Sequence, residues 1–213
     1  MAAKPQTLNA LVKDIRACRL CRDAPAGRPL PHEPRPVLRV SPTARIAVCG
    51  QAPGTRVHAS GIPFTDPSGD RLRDWMGVTP GEFYDAARIA IIPMGFCFPG
   101  LDAKGGDLPP RRECAHTWHE RVFSVMPQIE LLLLVGQYAQ TWHLQERTHA
   151  TLTATVAEWR QISRAGASRT HRKVRAFPLP HPSWRNTGWL KANPWFAAEL
   201  LPVLRREVRR RLS

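Results

Sequence analysis

The chain has 213 residues, enough for one sizeable hydrophobic core and too few for two full domains. No stretch of about 18 consecutive apolar residues occurs, which argues against a membrane-spanning helix, and the N-terminal sequence lacks the apolar stretch of a signal peptide. The formal net charge of +14 is far more than solubility requires and indicates a polyanionic partner. We therefore expect one cytoplasmic domain over residues 1–213, monomeric and without a membrane partner.

Nucleic acid is the partner that this charge favours, because a basic face attracts the phosphate backbone. Composition alone leaves two alternatives open: a basic face that binds anionic lipid, and an arginine excess that reflects the codon usage of a GC-rich genome. The 21 prolines outnumber the 14 glycines, which predicts many rigid, irregular connections between regular elements.

The N-terminal part of the chain predicts a helix followed by an extended strap. Apolar residues recur with helical spacing from Leu8 to Leu20 and end at a Cys-x-x-Cys pair. Residues 25–42 are rich in proline and arginine, which excludes a helix or a central strand because proline lacks a backbone N–H group. We interpret this segment as a strap laid over the body of the protein.

From Arg45 onward, short apolar runs alternate with helical stretches, a pattern typical of an α/β fold. Buried strands are predicted over residues 45–50, 89–94, 129–136 and 172–180. Helices are predicted from Ser68 to residue 78, over 111–126, from residue 137 and over 193–212, where Pro202 predicts a kink. The polar stretch 146–172 is interpreted as loop or irregular helix. Together these elements predict a parallel sheet with helices on both faces.

Three motifs each follow a predicted strand. They are GQAPG at residues 50–54, GFCFPG and GGD within residues 95–107, and HPSWRN at residues 181–186. In open α/β sheets, ligands bind where the loops at the carboxyl ends of the strands converge. The three motifs are therefore predicted to meet at one edge of the sheet and to form a binding site there.

The cysteines indicate a metal site. Five cysteines in a reducing compartment do not form a disulfide framework, so the close pair Cys18 and Cys21 points to metal. Cys97 and Cys114 flank a proline-bounded loop, and four thiolates can hold either zinc or an iron-sulfur cluster, which spacing alone does not distinguish. These residues could also be unrelated buried thiols. Cys49 lies in the first predicted strand, and we interpret it as packing.

The segments VCGQAPGTRVHASGIPFTDPSGDRLRDWMGV (48–78) and HPSWRNTGWLKANPWF (181–196) resemble the uracil-DNA glycosylase superfamily. Members of that superfamily carry a first motif of the G-[EQ]-x-P-[GY] type and a second that begins with His-Pro-Ser. The cysteine layout is similar to the iron-sulfur branch, which has a Cys-x-x-Cys pair near the N-terminus and two later cysteines around a variable loop.

The resemblance implies a three-layer α/β/α sandwich with a central four-stranded parallel sheet. It also implies a base excision repair enzyme that flips uracil out of single- or double-stranded DNA and hydrolyses its N-glycosidic bond. A 4Fe-4S cluster, preferred over zinc, would be held by Cys18, Cys21, Cys97 and Cys114. The cluster would fasten the N-terminal helix to the later loop, which is a structural role.

Individual site residues follow from the same resemblance. Phe64, in G-I-P-F-T, matches a phenylalanine that stacks on the flipped uracil. His181 matches a histidine that donates to a uracil oxygen as charge accumulates there, a role for which a neutral imidazole suffices. Gln51 would lie against the base or its sugar, and Ala52, Ser183 and Arg185 complete the predicted substrate-binding set.

The catalytic carboxylate is a point where this chain departs from part of the superfamily. Some members place an aspartate that positions water directly after the motif-one Glu or Gln, and here that residue is Ala52. Asp66 and Asp107 are the two candidates to supply a carboxylate near the sugar. We favour Asp107 because its Gly-Gly neighbours would let the backbone approach a ligand closely. The alternative for each aspartate is that it only caps a loop.

DNA contacts are predicted from Arg56, from the loop around Trp184 and Arg185, and from Lys191. An aromatic side chain beside the His-Pro-Ser motif could wedge into the stack that the flipped base has left. The alternative for Trp184 is a surface indole packed on its own loop.

A second departure concerns base selection. Many relatives end the second strand with an asparagine that reads the edge of uracil, and here Pro93 occupies that place. Backbone groups of residues 94–96 could substitute for it, or another deaminated base could be preferred to uracil. Pro93 and Ala52 also leave open a different class of function, a protein with little or no catalysis that binds DNA at uracil or abasic sites.

Overall fold

A four-stranded, all-parallel sheet forms the centre of the computed structural model, which describes residues 6–167 and 174–213. In chain order, the strands β1 to β4 are Ile46–Cys49, Ile89–Ile91, Leu131–Val135 and Arg175–Leu179. Their order across the sheet is β2-β1-β3-β4, and Ile46 is in register with both Ile89 and Leu131.

The sheet is buried on both faces, which explains why its strands are continuous apolar runs. Side chains alternate along β1: Ile46 and Val48 belong to one hydrophobic cluster, whereas Ala47 and Cys49 belong to the other. Two helical layers must therefore cover the sheet. The predicted three-layer α/β/α sandwich around a four-stranded parallel sheet is confirmed.

The described residues form eleven α-helices. In chain order, α1 to α11 are Leu8–Arg16, Leu20–Asp23, Thr55–Ser60, Pro67–Met76, Pro80–Tyr84, Arg112–Ser124, Gln137–Leu144, Leu152–Ala157, Trp159–Ala165, Thr187–Ala192 and Leu201–Leu212. Helices α1, α6 and α7 contribute buried side chains to the face that carries Ala47 and Cys49, and α4, α5, α8 and α11 to the face that carries Ile46 and Val48; α9 contributes to both. None of the helices in the described parts of the chain has both the length and the apolarity needed to span a bilayer.

The helical boundaries differ from the predictions in three places. The stretch 146–172 is more regular than predicted, because α8 and α9 bury Val156 and Ile162 on opposite faces of the sheet; its last five residues lie outside the described residues. Helix α4 begins at Pro67, slightly earlier than predicted. Pro202, which predicts a kink within the last helix, instead lies in the first turn of α11, directly after a π-helical turn, Phe196–Leu200.

The proline-rich strap covers one edge of the sheet. Arg39 and Ile91 exchange backbone hydrogen bonds of 3.0 and 2.7 Å, an isolated antiparallel bridge to β2. Val37 N–H donates to the Phe96 carbonyl at 2.7 Å. The segment is therefore extended and laid over the body, as the prolines predicted. The opposite edge is β4, which contains Pro178, a residue tolerated in edge strands.

Candidate active site

The strand order creates a crevice between the tips of β1 and β3. After β1 the chain moves to one side to form β2, and it then crosses back to form β3 on the other side of β1. Loops that leave β1 and β3 therefore diverge, and ligands of open α/β sheets bind at such a point. Gly50 follows β1, Gly136 follows β3 and His181 follows β4, so this edge carries two of the three motifs directly.

Phe64 lies against the loop that leaves β1. A β-carbon added to Gly50 would lie 3.3 Å from the phenyl ring, so the absence of a side chain at residue 50 allows this contact. The ring makes an edge contact with Phe83, with centroids 5.9 Å apart, and remains half-buried. Phe64 has a φ of +56°, in the left-handed region that bulky residues rarely adopt.

His181 is held as a neutral donor. Its Nδ1 accepts the Ser183 backbone N–H at 3.2 Å, so in the neutral ring the proton lies on Nε2. Burial lowers the pKa of His181, although Asp66 and Asp107 act in the opposite direction. Asn186 Nδ2 donates to the His181 carbonyl at 2.7 Å and fixes the backbone. The sequence motif thus folds into a turn that aligns one N–H group.

Asp107 lies at the base of a small hairpin beside motif one. Leu101 and Asp107 form an antiparallel bridge, and a β-carbon on Gly54 would lie 3.3 Å from a carboxylate oxygen of Asp107. Desolvation raises the pKa of Asp107, while His181 and Arg185 lower it by less. The carboxyl is therefore within electrostatic reach of the His181 imidazole and of the exposed Arg185 guanidinium.

The Gly-Gly pair beside Asp107 has a different role from the one predicted. Gly105 has a φ of +75°, which the turn of the hairpin requires, and a β-carbon on Gly106 would lie 3.0 Å from the Asp102 carboxylate. Asp102 Oδ1 accepts the N–H groups of Lys104 and Gly106, each at 2.8 Å. The hairpin turn alone therefore explains both glycines, without a ligand that approaches their backbone.

Asp66 caps a helix. Its Oδ1 accepts the Gly69 N–H at 3.2 Å at the first turn of α4, which is the capping role that stood as the alternative for this aspartate. Asp66 opposes, without outweighing, the effect of burial that lowers the pKa of His181, so it lies near the same crevice. Its carboxylate is already engaged, which makes it the weaker candidate for work on the sugar.

Three of the predicted substrate-binding residues also support the site internally. Gln51 Nε2 donates to the Leu108 carbonyl at 3.4 Å and ties motif one to the Asp107 hairpin. The Ala52 side chain lies close to Gly95: a β-carbon added at Gly95 would be 3.5 Å from the Ala52 β-carbon. Ser183 supplies its N–H to His181, and its hydroxyl accepts the Arg185 N–H at 3.2 Å.

The backbone after β2 does not provide the base-reading donors that could have replaced the missing asparagine. The N–H groups of Met94 and Gly95 donate to the carbonyls of Gly50 and Gln51, both at 2.9 Å, and Phe96 N–H donates to Cys114 Sγ at 3.3 Å. All three amides of residues 94–96 are thus already paired. The N–H groups of these residues therefore do not replace the asparagine, and the prediction that they could is wrong.

The predicted DNA contacts are exposed. The Trp184 side chain is 73% exposed, in a 3-10 turn directly after Ser183, and the Arg185 guanidinium lies 6.0 Å from the centroid of its ring. Arg56 and Lys191 are also exposed. The Trp184 indole is therefore mostly open to solvent.

Arg71 is a supporting residue that the sequence did not reveal. From α4, its Nη1 donates to the Ser183 carbonyl at 2.9 Å and its Nη2 to Thr187 Oγ1 at 3.4 Å. It therefore links the helix after Phe64 to the turn that carries His181. No sequence signal distinguishes it from the remaining arginines, because only the tertiary fold brings the two segments together.

We expect Arg71→Met to lower the single-turnover rate on a uracil-containing oligonucleotide about tenfold. The reason is that the variant loses about one charged hydrogen bond to the turn that carries His181. The matched control is Arg205→Met, because Arg205 is exposed and donates to the Asp74 carbonyl away from the crevice. Equal rates for the two variants in single-turnover measurements would show that Arg71 does not support the turn.

The four predicted metal-binding cysteines line one cavity. Cys18 reaches it from the link between α1 and α2, and Cys21 from α2. Cys97 reaches it from the loop after β2, and Cys114 from α6. Burial raises the pKa of Cys21 to about 12 and that of Cys97 to about 11, so these thiols are poor nucleophiles as they stand. Cys49 is fully buried in β1, as packing requires.

The cavity does not have the geometry of a single-ion site. A tetrahedral zinc site needs four sulfurs about 2.3 Å from one point. Across residues 6–167 and 174–213, no three His, Cys, Asp or Glu side chains converge closely enough to bind one metal ion. Two of the cysteines accept backbone N–H groups, Cys114 from Phe96 and Cys97 from Arg35. The four thiols surround one cavity without meeting at a single point.

The comparison with known families agrees with the fold and with this edge of the sheet. The family model of the uracil DNA glycosylase superfamily matches residues 39–205, which includes Phe64, Asp107 and His181. The match covers most of the chain and begins after the N-terminal cysteine pair. The chain belongs to the uracil DNA glycosylase superfamily.

Proposed function

We propose that this protein is a DNA glycosylase that excises uracil from single- or double-stranded DNA and leaves an abasic site. The support for the proposal is that Phe64 packs against Gly50, Asp107 against Gly54 and His181 against Gly136, in the loops that leave β1 and β3. An aromatic platform, a fixed N–H donor and a carboxylate are what the excision of an extruded base needs.

In the proposed reaction, the uracil leaves the base stack and stacks on Phe64. As the bond between C1′ and N1 breaks, negative charge moves onto the uracil, and the Nε2–H of His181 donates to a uracil oxygen. Positive charge develops on the sugar, where the Asp107 carboxylate stabilises it and accepts a proton from the attacking water. The water oxygen bonds to C1′, and uracil departs as the anion and is then protonated by solvent.

The proposed roles predict a pH profile. His181 must be neutral and Asp107 ionised; burial lowers the pKa of His181 below its ordinary value of about 6.5, and desolvation raises that of Asp107. The active protonation states are therefore complete at neutral pH and are lost as the pH falls through either pKa. Single-turnover rates should be constant between about pH 7 and 8 and begin to fall only at a pH below the ordinary histidine pKa of about 6.5. A rate that already falls between pH 8 and 7 would contradict the assignment.

Uracil excision can be tested directly with purified protein and a labelled oligonucleotide that contains one uracil. We expect strand scission after alkali treatment, and no scission when thymine replaces uracil. The competing function is favoured by Ala52, which leaves motif one without an acidic residue. Tight binding to the uracil-containing strand without scission would support that non-catalytic function and overturn ours.

We further propose that Cys18, Cys21, Cys97 and Cys114 hold a 4Fe-4S cluster. The support is the single cavity that all four cysteines line and the N–H groups directed at two of the sulfurs. Cys18 and Cys21 precede the part of the chain that the family model matches. The cluster would join α1 and α2 to α6 as a structural fastening.

Anaerobically purified protein should be brown and contain four irons and four sulfides per chain, as this cluster type requires. Cys97→Ser should remove most of the iron and the visible absorbance, because one ligand is lost. Cys49→Ser is the matched control and should keep both, since Cys49 lies in β1, away from that cavity. Colourless protein with one zinc per chain would contradict the proposal.

A further inference from the structure

The backbone of Phe64 is held in a conformation that it would not adopt by itself. Within the described residues, Phe64 and Gln145 are the two non-glycine residues with positive φ. A left-handed conformation is unfavourable for a residue with a β-carbon, so it persists only where surrounding contacts enforce it. Such positions cluster at functional sites, and Phe64 is the proposed base platform.

Two side chains grip the Phe64 carbonyl. Tyr84 donates its hydroxyl to the carbonyl oxygen at 2.8 Å, and Arg73 Nη1 donates to the same oxygen at 3.2 Å. Arg73 Nη1 also donates to the Tyr84 hydroxyl at 3.1 Å, which closes a small network. We call this network, formed by Arg73, Tyr84 and the Phe64 carbonyl, the carbonyl clamp.

The carbonyl clamp is itself firmly placed. Arg73 is buried, its Nη2 pairs with Asp70 at 2.6 Å, and its guanidinium lies 5.4 Å from the ring centroids of both Phe83 and Tyr84. Helix α5, which ends at Tyr84, begins with a complete capping box. The donors therefore hold fixed positions, toward which the Phe64 carbonyl must point.

Gly69 provides the space that the clamp requires. A β-carbon at residue 69 would lie 1.9 Å from the Phe64 carbonyl oxygen and 2.9 Å from its Cβ. The carbonyl thus packs against the first turn of α4, at a distance that only glycine permits. The left-handed backbone, the two donors and the glycine all act on the same peptide group.

We propose that Arg73 and Tyr84 are positioning residues that set the direction of the Phe64 ring for stacking on the flipped base. A phenyl ring has no hydrogen-bonding group of its own, so the backbone dihedrals of Phe64 decide where its ring points. Loss of the clamp lets φ relax to negative values, and Cβ then turns away from the Gly50 loop. This inference rests on the proposed function, because it takes Phe64 as the base platform.

A double-mutant cycle tests the inference with Tyr84→Phe, Phe64→Ala and the combined variant. Tyr84→Phe removes only the hydroxyl, and we expect kcat/KM on a single-stranded uracil oligonucleotide to fall about tenfold, roughly the effect of losing one hydrogen bond. Phe64→Ala alone should cause a larger loss. In the Phe64→Ala background, Tyr84→Phe should have no further effect, because its only route to the base is then gone.

The matched control is Tyr138→Phe, since Tyr138 is the second tyrosine of the chain and is exposed on α7. It should leave kcat/KM unchanged. Thermal unfolding of each variant, measured alongside, shows whether the protein is folded at the assay temperature. If Tyr84→Phe destabilises the fold, Arg73→Lys serves as the second variant, because it keeps the charge opposite Asp70 and loses the fork that reaches Phe64.

The outcomes separate the two proposals. Active wild-type protein with additive losses, or with no loss in Tyr84→Phe, overturns the positioning role and leaves the glycosylase function intact. The glycosylase function is overturned if the wild-type protein binds uracil-containing DNA in preference to thymine-containing DNA but does not cleave it. The double-mutant cycle is then evaluated with this binding preference in place of kcat/KM. Folded wild-type protein with neither activity nor preference overturns both.

Discussion

Replacing His181 with alanine is expected to lower the single-turnover rate of uracil release by about 10²–10³-fold, the usual effect of removing one donor to a developing negative charge. The structure supports this magnitude because the imidazole is half-buried and its Nδ1 already accepts the Ser183 N–H, which leaves Nε2–H as the donor. Substrate binding should change much less than the rate, since the lost interaction strengthens only as the bond breaks.

The control for His181 is His149→Ala. His149 is exposed and lies 3.8 Å from Glu158, outside the loops that form the crevice. The single-turnover rate of the His149→Ala variant should equal that of the wild type. If His181→Ala releases uracil within about threefold of the wild-type rate, the donor must be another group, since an effect that small is below what one such donor contributes.

Replacing Asp107 with alanine is expected to lower the same rate by about 10²–10⁴-fold, the range for a positioned acid or base. The physical reason is its carboxylate beside Gly54 and within electrostatic reach of His181. Asp66→Ala should act differently: it removes the cap of α4, with a cost of about 1 kcal/mol in stability and a smaller effect on rate.

Together, the two aspartate variants decide which carboxylate works on the sugar. Asp14→Asn is a suitable control because Asp14 is exposed on α1, far along the chain from the motifs. If Asp66→Ala is the slower variant, the roles are exchanged. If neither variant slows excision, the proposed mechanism fails, since these are the two candidate carboxylates that the sequence and the crevice both supply.

Much of the fold was predictable because apolar runs in a parallel sheet are buried on both faces. All four strands lie within the predicted ranges, although the first two residues of the range 172–180 are outside the described residues. Loops at the carboxyl ends follow from strand direction alone, which is why Phe64, Asp107 and His181 could be assigned to one edge before any coordinates.

Helices α8 and α9 could not be predicted from periodicity. They are six and seven residues long, and their buried residues divide between two layers: Val156 and Trp159 face one cluster, and Ile162 faces the other. A short helix that turns from one face to another has no single apolar stripe. The polar composition of the segment concealed the few side chains that matter.

The supporting contacts of the site were equally invisible. Arg71 and Arg73 are two among 31 basic residues, and only the fold brings one to Ser183 and the other to Phe64. The same holds for the amides of residues 94–96, whose availability to a base depends on partners in motif one and in α6. Motifs indicate which residues do chemistry, but they do not indicate what holds them.

Both outer strands of the sheet are poor templates for a further strand. The strap occupies the backbone of Ile91 in β2, and Pro178 removes one N–H group from β4. Exposed strand edges are the usual route by which chains join or aggregate through backbone pairing. We therefore infer that deleting the strap through Arg39 would uncover the backbone of β2 and favour self-association. The strap thus protects the protein from association, independently of any contact with DNA.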